Sequence, residues 1–322
     1  MRALCTGGRG FIGSHLTQRL LADGWQVTII DNGSTGHWTP PAGAEVVDAD
    51  IAAVWALQRH FDAIWHLAAA VGVRNILDHP ARSMVTNLQG THAVLDFALR
   101  ENIPVLLASS SEVYGLNTKL PFREDDNLTL GPSSVGRWSY AAAKLADECL
   151  GLSYYKEYGL PVTVVRLFNC TGPRQSDRYG MVLPRLVSQA LRGEPLTVYG
   201  TGQQSRCFCH VSDTVEALFT LGQIPQSAGQ VFNVGSTDPI TIWGLAEEVR
   251  YQVAQRTGKP ASDIVRVSYA DAYGSPDYAD MPARVPDISK IRRLIGWEPK
   301  VNLREIVTSV ISYQCSIGCR AS

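Results

Sequence analysis

Tyr140 and Lys144 stand four residues apart in SYAAAKLADE, a stretch with helical spacing, so their side chains share one face. An ammonium near a phenol favours the phenolate and lowers the tyrosine's pKa from about 10. The spacing therefore predicts that Tyr140 serves as a base near neutral pH. The alanines between them leave room for a ligand against the helix. Upstream, SSSEVYG places Ser110, Ser111 and Glu112 directly after the apolar run IPVLLA. A carboxylate beside a tyrosine base calls for its own chemical account.

A second constellation suits a pyrophosphate. In TGGRGFIG, Gly7 allows a tight turn, Gly10 lets the backbone approach an anion, and Gly13 lets a helix pack close to a sheet. Phe11 and Ile12 open the following helix, whose N-terminal N–H groups favour negative charge. Asp31 ends the next apolar run, WQVTIID, where a carboxylate accepts both ribose hydroxyls of NAD and repels a 2′-phosphate. Asn32, Gly33 and Ser34 bring no basic side chain, so NAD is expected over NADP.

The elements that position these groups are legible as alternating runs. RALCT, WQVTIID, DAIWHLAA, IPVLLASS and PVTVVRLFN read as buried strands. Helical patterns lie between them at 11–24, 82–101 and 137–158. The alternation predicts an α/β fold with a doubly wound parallel sheet. After Asn169 the texture changes, with helices expected near 181–192, 212–221, 241–256 and 302–313 and short strands near 196–199, 230–234 and 264–269. The expected division is a cofactor domain over 1–172 and a smaller α/β substrate lobe over 173–322, some segments of which return to the first domain.

Composition excludes other classes. Lys and Arg total 29 against 30 Asp and Glu, a formal charge of −1, which supports neither a nucleic-acid nor a membrane-surface role. No apolar run reaches the roughly 18 residues of a membrane span, and the N-terminus lacks a secretory pattern. Seven scattered cysteines fit free thiols and a cytoplasmic setting. Cys207, Cys209 and His210 are spaced too tightly for a zinc site, so no metal is expected.

Together TGGRGFIG, Asp31, DADI, HLAA, SSSEVYG, YAAAK, RLFNCTGPR and YGTGQQSRCFCHVSD resemble the extended short-chain dehydrogenase/reductases. More narrowly, they resemble the NAD-dependent nucleotide-sugar epimerases, dehydratases and decarboxylases, from Met1 to about Pro299. The resemblance implies a Rossmann domain, tightly held NAD regenerated in each turnover, a nucleotide-sugar substrate and a homodimer paired through the helices near 82–101 and 137–158. It implies cofactor contacts from Asp50 and Ile51, from Leu67, Ala68 and Ala69, and from Asn87. It implies substrate contacts from Asn169, Arg174, Tyr199 and Arg206, with Ser110 and Ser111 at the sugar's 4-hydroxyl.

Within that family the residue after the serines separates reactions. The 4,6-dehydratases carry an Asp–Glu pair; here Ser111 stands where the Asp would be, which argues against dehydration. S-E-V-Y-G and GRWSYAAAK resemble UDP-glucuronate decarboxylases, as does Tyr278 six residues before Arg284. The resemblance gives Tyr278 to the uronate and Arg284, with Glu112, to control of a proton. The alternative expectation is a UDP-hexose or UDP-uronate 4-epimerase, with Arg284 on the diphosphate. A non-catalytic NAD-sensing protein would be expected to lose Tyr140 or Lys144, and both remain.

Overall fold

The computed structural model describes residues 1–34, 36, 38–177, 181–274 and 280–318, with 73–75 described by their backbone alone. The first half runs β1 (Arg2–Thr6), α1 (Phe11–Ala22), β2 (Gln26–Asp31), β3 (Ala44–Asp48), β4 (Ala63–His66), α2 (Val73–Asp78), α3 (Pro80–Glu101), β5 (Val105–Ser110), α4 (Trp138–Tyr158) and β6 (Val162–Leu167). The chain continues with β7 (Cys170–Thr171), α5 (Val182–Arg192), β8 (Leu196–Tyr199), β9 (Ser205–Cys207), β10 (Cys209–His210), α6 (Val211–Leu221) and β11 (Gln230–Val234). It closes with β12 (Pro239–Thr241), α7 (Ile242–Thr257), β13 (Ile264–Val267), α8 (Tyr269–Tyr273), β14 (Ala283–Arg284), α9 (Ser289–Ile295) and α10 (Leu303–Gly318).

Seven parallel strands form the main sheet in the order β11-β6-β5-β4-β1-β2-β3. The order reverses beside β1, which opens a crevice at the carboxyl ends of β1 and β4, where ligands of such sheets bind. The central strands are apolar on both sides because helices cover both faces; all four residues of β4 are buried. One face carries Leu16 and Leu20 of α1 against Val215 and Leu218 of α6, and the other packs Val94 and Leu95 of α3 with Tyr154 of α4. Both α6 and β11 come from beyond residue 173 and join this first layer.

The smaller lobe has its own core. Leu186 of α5, Val249 of α7 and Val310 of α10 close over Leu196 and Val198 of β8. A short sheet, β12-β9-β14, sets Arg284 opposite Arg206 as register partners in parallel strands, so the two side chains leave the same face. The tight C-x-C-H motif is split at Phe208: Cys207 ends β9, while Cys209 and His210 form β10 and pair with β7.

Candidate active site

The glycine turn behaves as its spacing predicts. Gly7 has φ +71°, and a Cβ there would stand 2.8 Å from the Ala68 nitrogen; a Cβ at Gly13 would collide with the Gly7 carbonyl oxygen. Gly10 is the N-cap of α1 without a side-chain cap, so the first helical turn keeps its anion-binding capacity. Gly10, Phe11, Ile12 and Gly13 line a cleft of about 1310 Å³ that continues to Tyr140, Glu112, Tyr199 and Arg284. A glycine turn that no side chain could fill, opening on an uncapped helix, fits a dinucleotide pyrophosphate.

At the ribose corner, both Asp31 oxygens accept backbone N–H groups, from Arg9 at 2.9 Å and Gly33 at 2.8 Å. Asp50 caps the short 3₁₀ turn at 51–56 and accepts from Asn32, and Ile51 follows it in the wall. Residues 32–34 bring no basic group, as expected, but Arg9 brings one from the glycine turn. Its guanidinium would meet a Gly33 Cβ at 3.4 Å and pairs with Asp48 at 3.5 Å. Sequence reasoning missed it because Arg9 lies in the glycine turn, 22 residues before Asp31.

Leu67, Ala68 and Ala69 line the cleft as expected. Asn87 does not; its amide exchanges hydrogen bonds with the Ala70 backbone at 2.7 and 3.4 Å, so it braces the cofactor wall from behind. Arg174 lines the cleft as well. Its guanidinium bonds Ser14 and Gln18 of α1 and lies over the Trp38 ring.

Tyr140 and Ser110 both line the cleft, with Ser110 near enough to ease loss of the phenol proton. Ser110 also caps the turn at 111–114 by accepting from the Glu112 N–H at 3.2 Å. The expected effect of Lys144 on Tyr140 is not what the structure shows. Lys144 donates to the Ala108 carbonyl at 3.0 Å and to Asp147 at 3.2 Å. Burial first and the Glu112 charge second hold the tyrosine well above its ordinary pKa, against the opposing effect of Ser110.

Glu112 lies at the centre of a charged wall. Arg284 donates to one of its oxygens at 2.6 Å and Arg137 to the other at 3.2 Å, while Ser111 lies 3.5 Å from Arg284. Burial raises the carboxyl's proton affinity, but Arg284, Arg137 and Arg206 together outweigh it and hold Glu112 below the usual carboxylate range. Arg206 donates to Asp280 at 2.7 Å and, through burial and the nearby Arg284, falls to about 10. Three guanidinium groups against two carboxylates leave this wall one positive charge in excess, which suits an anionic ligand.

Further out, Tyr199 lies under Arg185 at 4.1 Å from the ring centre, an aromatic and a cation that suit a nucleotide base and its phosphates. Arg185 also lines the cleft, and only its place on α5 beside β8 reveals it. Asn169, at φ +35°, donates to the Cys207 carbonyl at 3.2 Å and faces the same cleft. Tyr278 lies outside the described residues.

A buried network fixes the serine turn to α4. Arg166 of β6 donates to both Glu148 oxygens and to the Tyr114 hydroxyl at 3.0 Å, and Tyr114 donates to Asn233 at 2.8 Å. These residues carry no motif spacing; only the fold brings them together.

The profile of GDP-mannose 4,6 dehydratases matches residues 4–310. The chain belongs to that family. It is 37% identical over 321 residues to the UDP-N-acetyl-alpha-D-glucosaminuronate decarboxylase of Bacillus cytotoxicus, covering 97% of each chain. It is 36% identical over 319 residues to UDP-glucuronic acid decarboxylase 1 of Danio rerio, covering 97% of this chain and 72% of that one. Among solved structures, an epimerase of Methanothermobacter thermautotrophicus superposes with a TM-score of 0.89 at 27% identity, covering 100% of this chain and 94% of that one. The UDP-glucose 4-epimerase of Thermus thermophilus, solved with NAD, gives 0.83 at 27%, covering 97% of this chain and 98% of that one. The sheet order and glycine turn above are the family's Rossmann-type core.

Proposed function

We propose that this member of the family is an NAD-dependent nucleotide-sugar decarboxylase acting on UDP-glucuronate or a close uronate relative and forming a UDP-pentose. The observation that carries the reading is Glu112, held ionised by Arg284 and Arg137 beside Tyr140, with Ser111 instead of an acid before it. Two decarboxylase relatives across nearly the whole chain support it.

The glycine turn and Asp31 would hold NAD, which when bound would supply the hydride acceptor and donor for the sugar's C4. Tyr140, as the phenolate, takes the 4-hydroxyl proton and becomes the phenol, with Ser110 beside it. Oxidation at C4 makes the sugar a β-keto acid. Loss of carbon dioxide then leaves an enolate, which Ser110, Ser111 and the Tyr140 hydroxyl stabilise as donors. The excess positive charge of the Arg137, Arg206 and Arg284 wall holds the anionic substrate. Glu112 is ionised and cannot itself protonate C5; a water beside Arg284 relays that proton from solvent. Arg185, Arg206 and Tyr199 take the nucleotide end.

The second reading, a 4-epimerase, is favoured by the epimerase structures that superpose on this chain. Incubation with NAD and UDP-glucuronate, and in parallel its 2-acetamido analogue, separates the two. Carbon dioxide release with UDP-pentose formation is expected; retained uronate with C4 inverted overturns the decarboxylase. We also propose a cytoplasmic homodimer joined through α3 and α4, whose Val85, Tyr155 and Tyr158 are exposed in the single chain. The free thiols fit a reducing compartment, and light scattering reads the mass.

A further inference from the structure

Behind Lys144 lies a second carboxylate that the mechanism above does not use. Asp147 is fully buried and sits one turn beyond Lys144 on the face that also carries Tyr140. Its Oδ2 accepts from the Lys144 ammonium at 3.2 Å, and its Oδ1 closes no hydrogen bond among the described residues. A buried carboxylate with one oxygen unsatisfied costs stability, so a role beyond packing is called for.

The protons around it can be assigned by counting donors. The Thr6 hydroxyl accepts from the Leu67 and Ala68 N–H groups at 3.1 and 3.0 Å, which fills both lone pairs. Its own proton therefore goes to His66 Nδ1 at 2.8 Å. Neutral His66 then carries its proton on Nε2 and donates to the Thr91 hydroxyl at 3.2 Å. Thr91 is left with one proton, and it faces Asp147 outside ordinary hydrogen-bond geometry. Every donor in this row points toward Asp147, and the row begins at the backbone of the cofactor wall.

We propose that Asp147 is a positioning residue for the Tyr140–Lys144 pair, anchoring the ammonium from behind and offsetting part of its charge, which sets how readily Tyr140 becomes the base. The inference rests on Tyr140 being the base. The groups around the pair are Glu112 after β5, Arg137 just before α4, Asp147 and Glu148 on α4, His66 on β4, Arg206 on β9 and Arg284 on β14. Glu148 is neutralised by Arg166, and His66 is uncharged, so Asp147 is the anion nearest the lysine. Its charge also raises the proton affinity of Tyr140, after burial and Glu112.

The test is Asp147→Asn in the NAD-loaded enzyme. Losing the negative charge makes the phenolate easier to form, so the acid limb of kcat/KM should move down by about one pH unit. The tyrosinate absorbance, taken as a difference from Tyr140→Phe, should move the same way, and Asp147→Glu should restore the native limb. An unmoved limb and unmoved absorbance, with only a lower Tm, overturn the proposal and leave Asp147 structural. If the Asn variant does not fold, Asp147→Ala, which leaves room for water beside Lys144, carries the same two measurements. A Tyr140→Phe enzyme that still turns over would instead sink the assignment of the base, so the two failures are distinguishable.

Discussion

Arg284 closes on Glu112 at 2.6 Å from a strand 172 residues further along the chain, and Ser111 lies beside the same guanidinium. Because the arginines keep Glu112 ionised, its charge persists down to acidic pH and is lost only as pH falls below the usual carboxylate range. Glu112→Gln keeps the shape but removes the anion that aims Arg284. We expect carbon dioxide release to fall by about 100-fold or more with NAD affinity unchanged. Single-turnover assays and a separate NAD titration check both halves. Unaltered turnover would leave Glu112 a surface ion pair and nothing more.

Tyr140→Phe removes the hydroxyl beside Ser110 and leaves the ring in place. Turnover should drop by about 1,000-fold or more, because the 4-hydroxyl proton loses its acceptor and the enolate keeps only the Ser110 and Ser111 donors. NAD binding, followed by quenching of tryptophan fluorescence, should stay within a factor of about two. An active Phe variant would fault the chemistry proposed for this site.

Much of this architecture is legible because periodic patterns report local geometry. The helices expected near 82–101 and 137–158 run over Pro80–Glu101 and Trp138–Tyr158, and the glycine turn sits where its spacing places it. What stays hidden depends on long-range contacts. The spacing sets Lys144 against Tyr140, yet Asp147, one turn further on, takes up its ammonium. Asn87 shares its helix with groups near the cofactor, but its amide is spent on Ala70. Arg9 reaches the ribose corner only because β2 returns beside the glycine turn. The short strand that carries Arg284 has two residues and no periodicity to detect.

Arg9 makes cofactor choice depend on one carboxylate. Asp31 stands where it would repel a 2′-phosphate, while the Arg9 guanidinium already lies against the neighbouring Gly33. Asp31→Asn should therefore weaken NAD by about 10-fold and strengthen NADP, without importing any basic residue. Adding Arg9→Ala to that variant should abolish the gain. Calorimetric titration of both dinucleotides decides it, and a gain that survives the second substitution would remove Arg9 from the account.

His66 gives the protein a pH dependence that does not pass through catalysis. Burial, reinforced by the Lys144 charge, lowers it to about 3, so the folded protein keeps it neutral across the working range. The unfolded chain binds the proton near pH 6.5, so the unfolded state holds more protons between about 6.5 and 3 and stability falls as pH drops through that window. At pH 5 the loss from this group alone is about 2 kcal/mol. His66→Gln, whose amide can still accept from Thr6 and donate to Thr91, should be less stable at pH 7 but flatter between pH 7 and 5. Some slope will remain, because His15, lowered to about 4 by burial, titrates in the same direction. Urea unfolding at pH 7 and pH 5 reads the difference. An identical slope in the variant would mean that His66 is already protonated in the folded state, and with it the assignment of the Thr6–His66–Thr91 hydrogen bonds would have to be reversed.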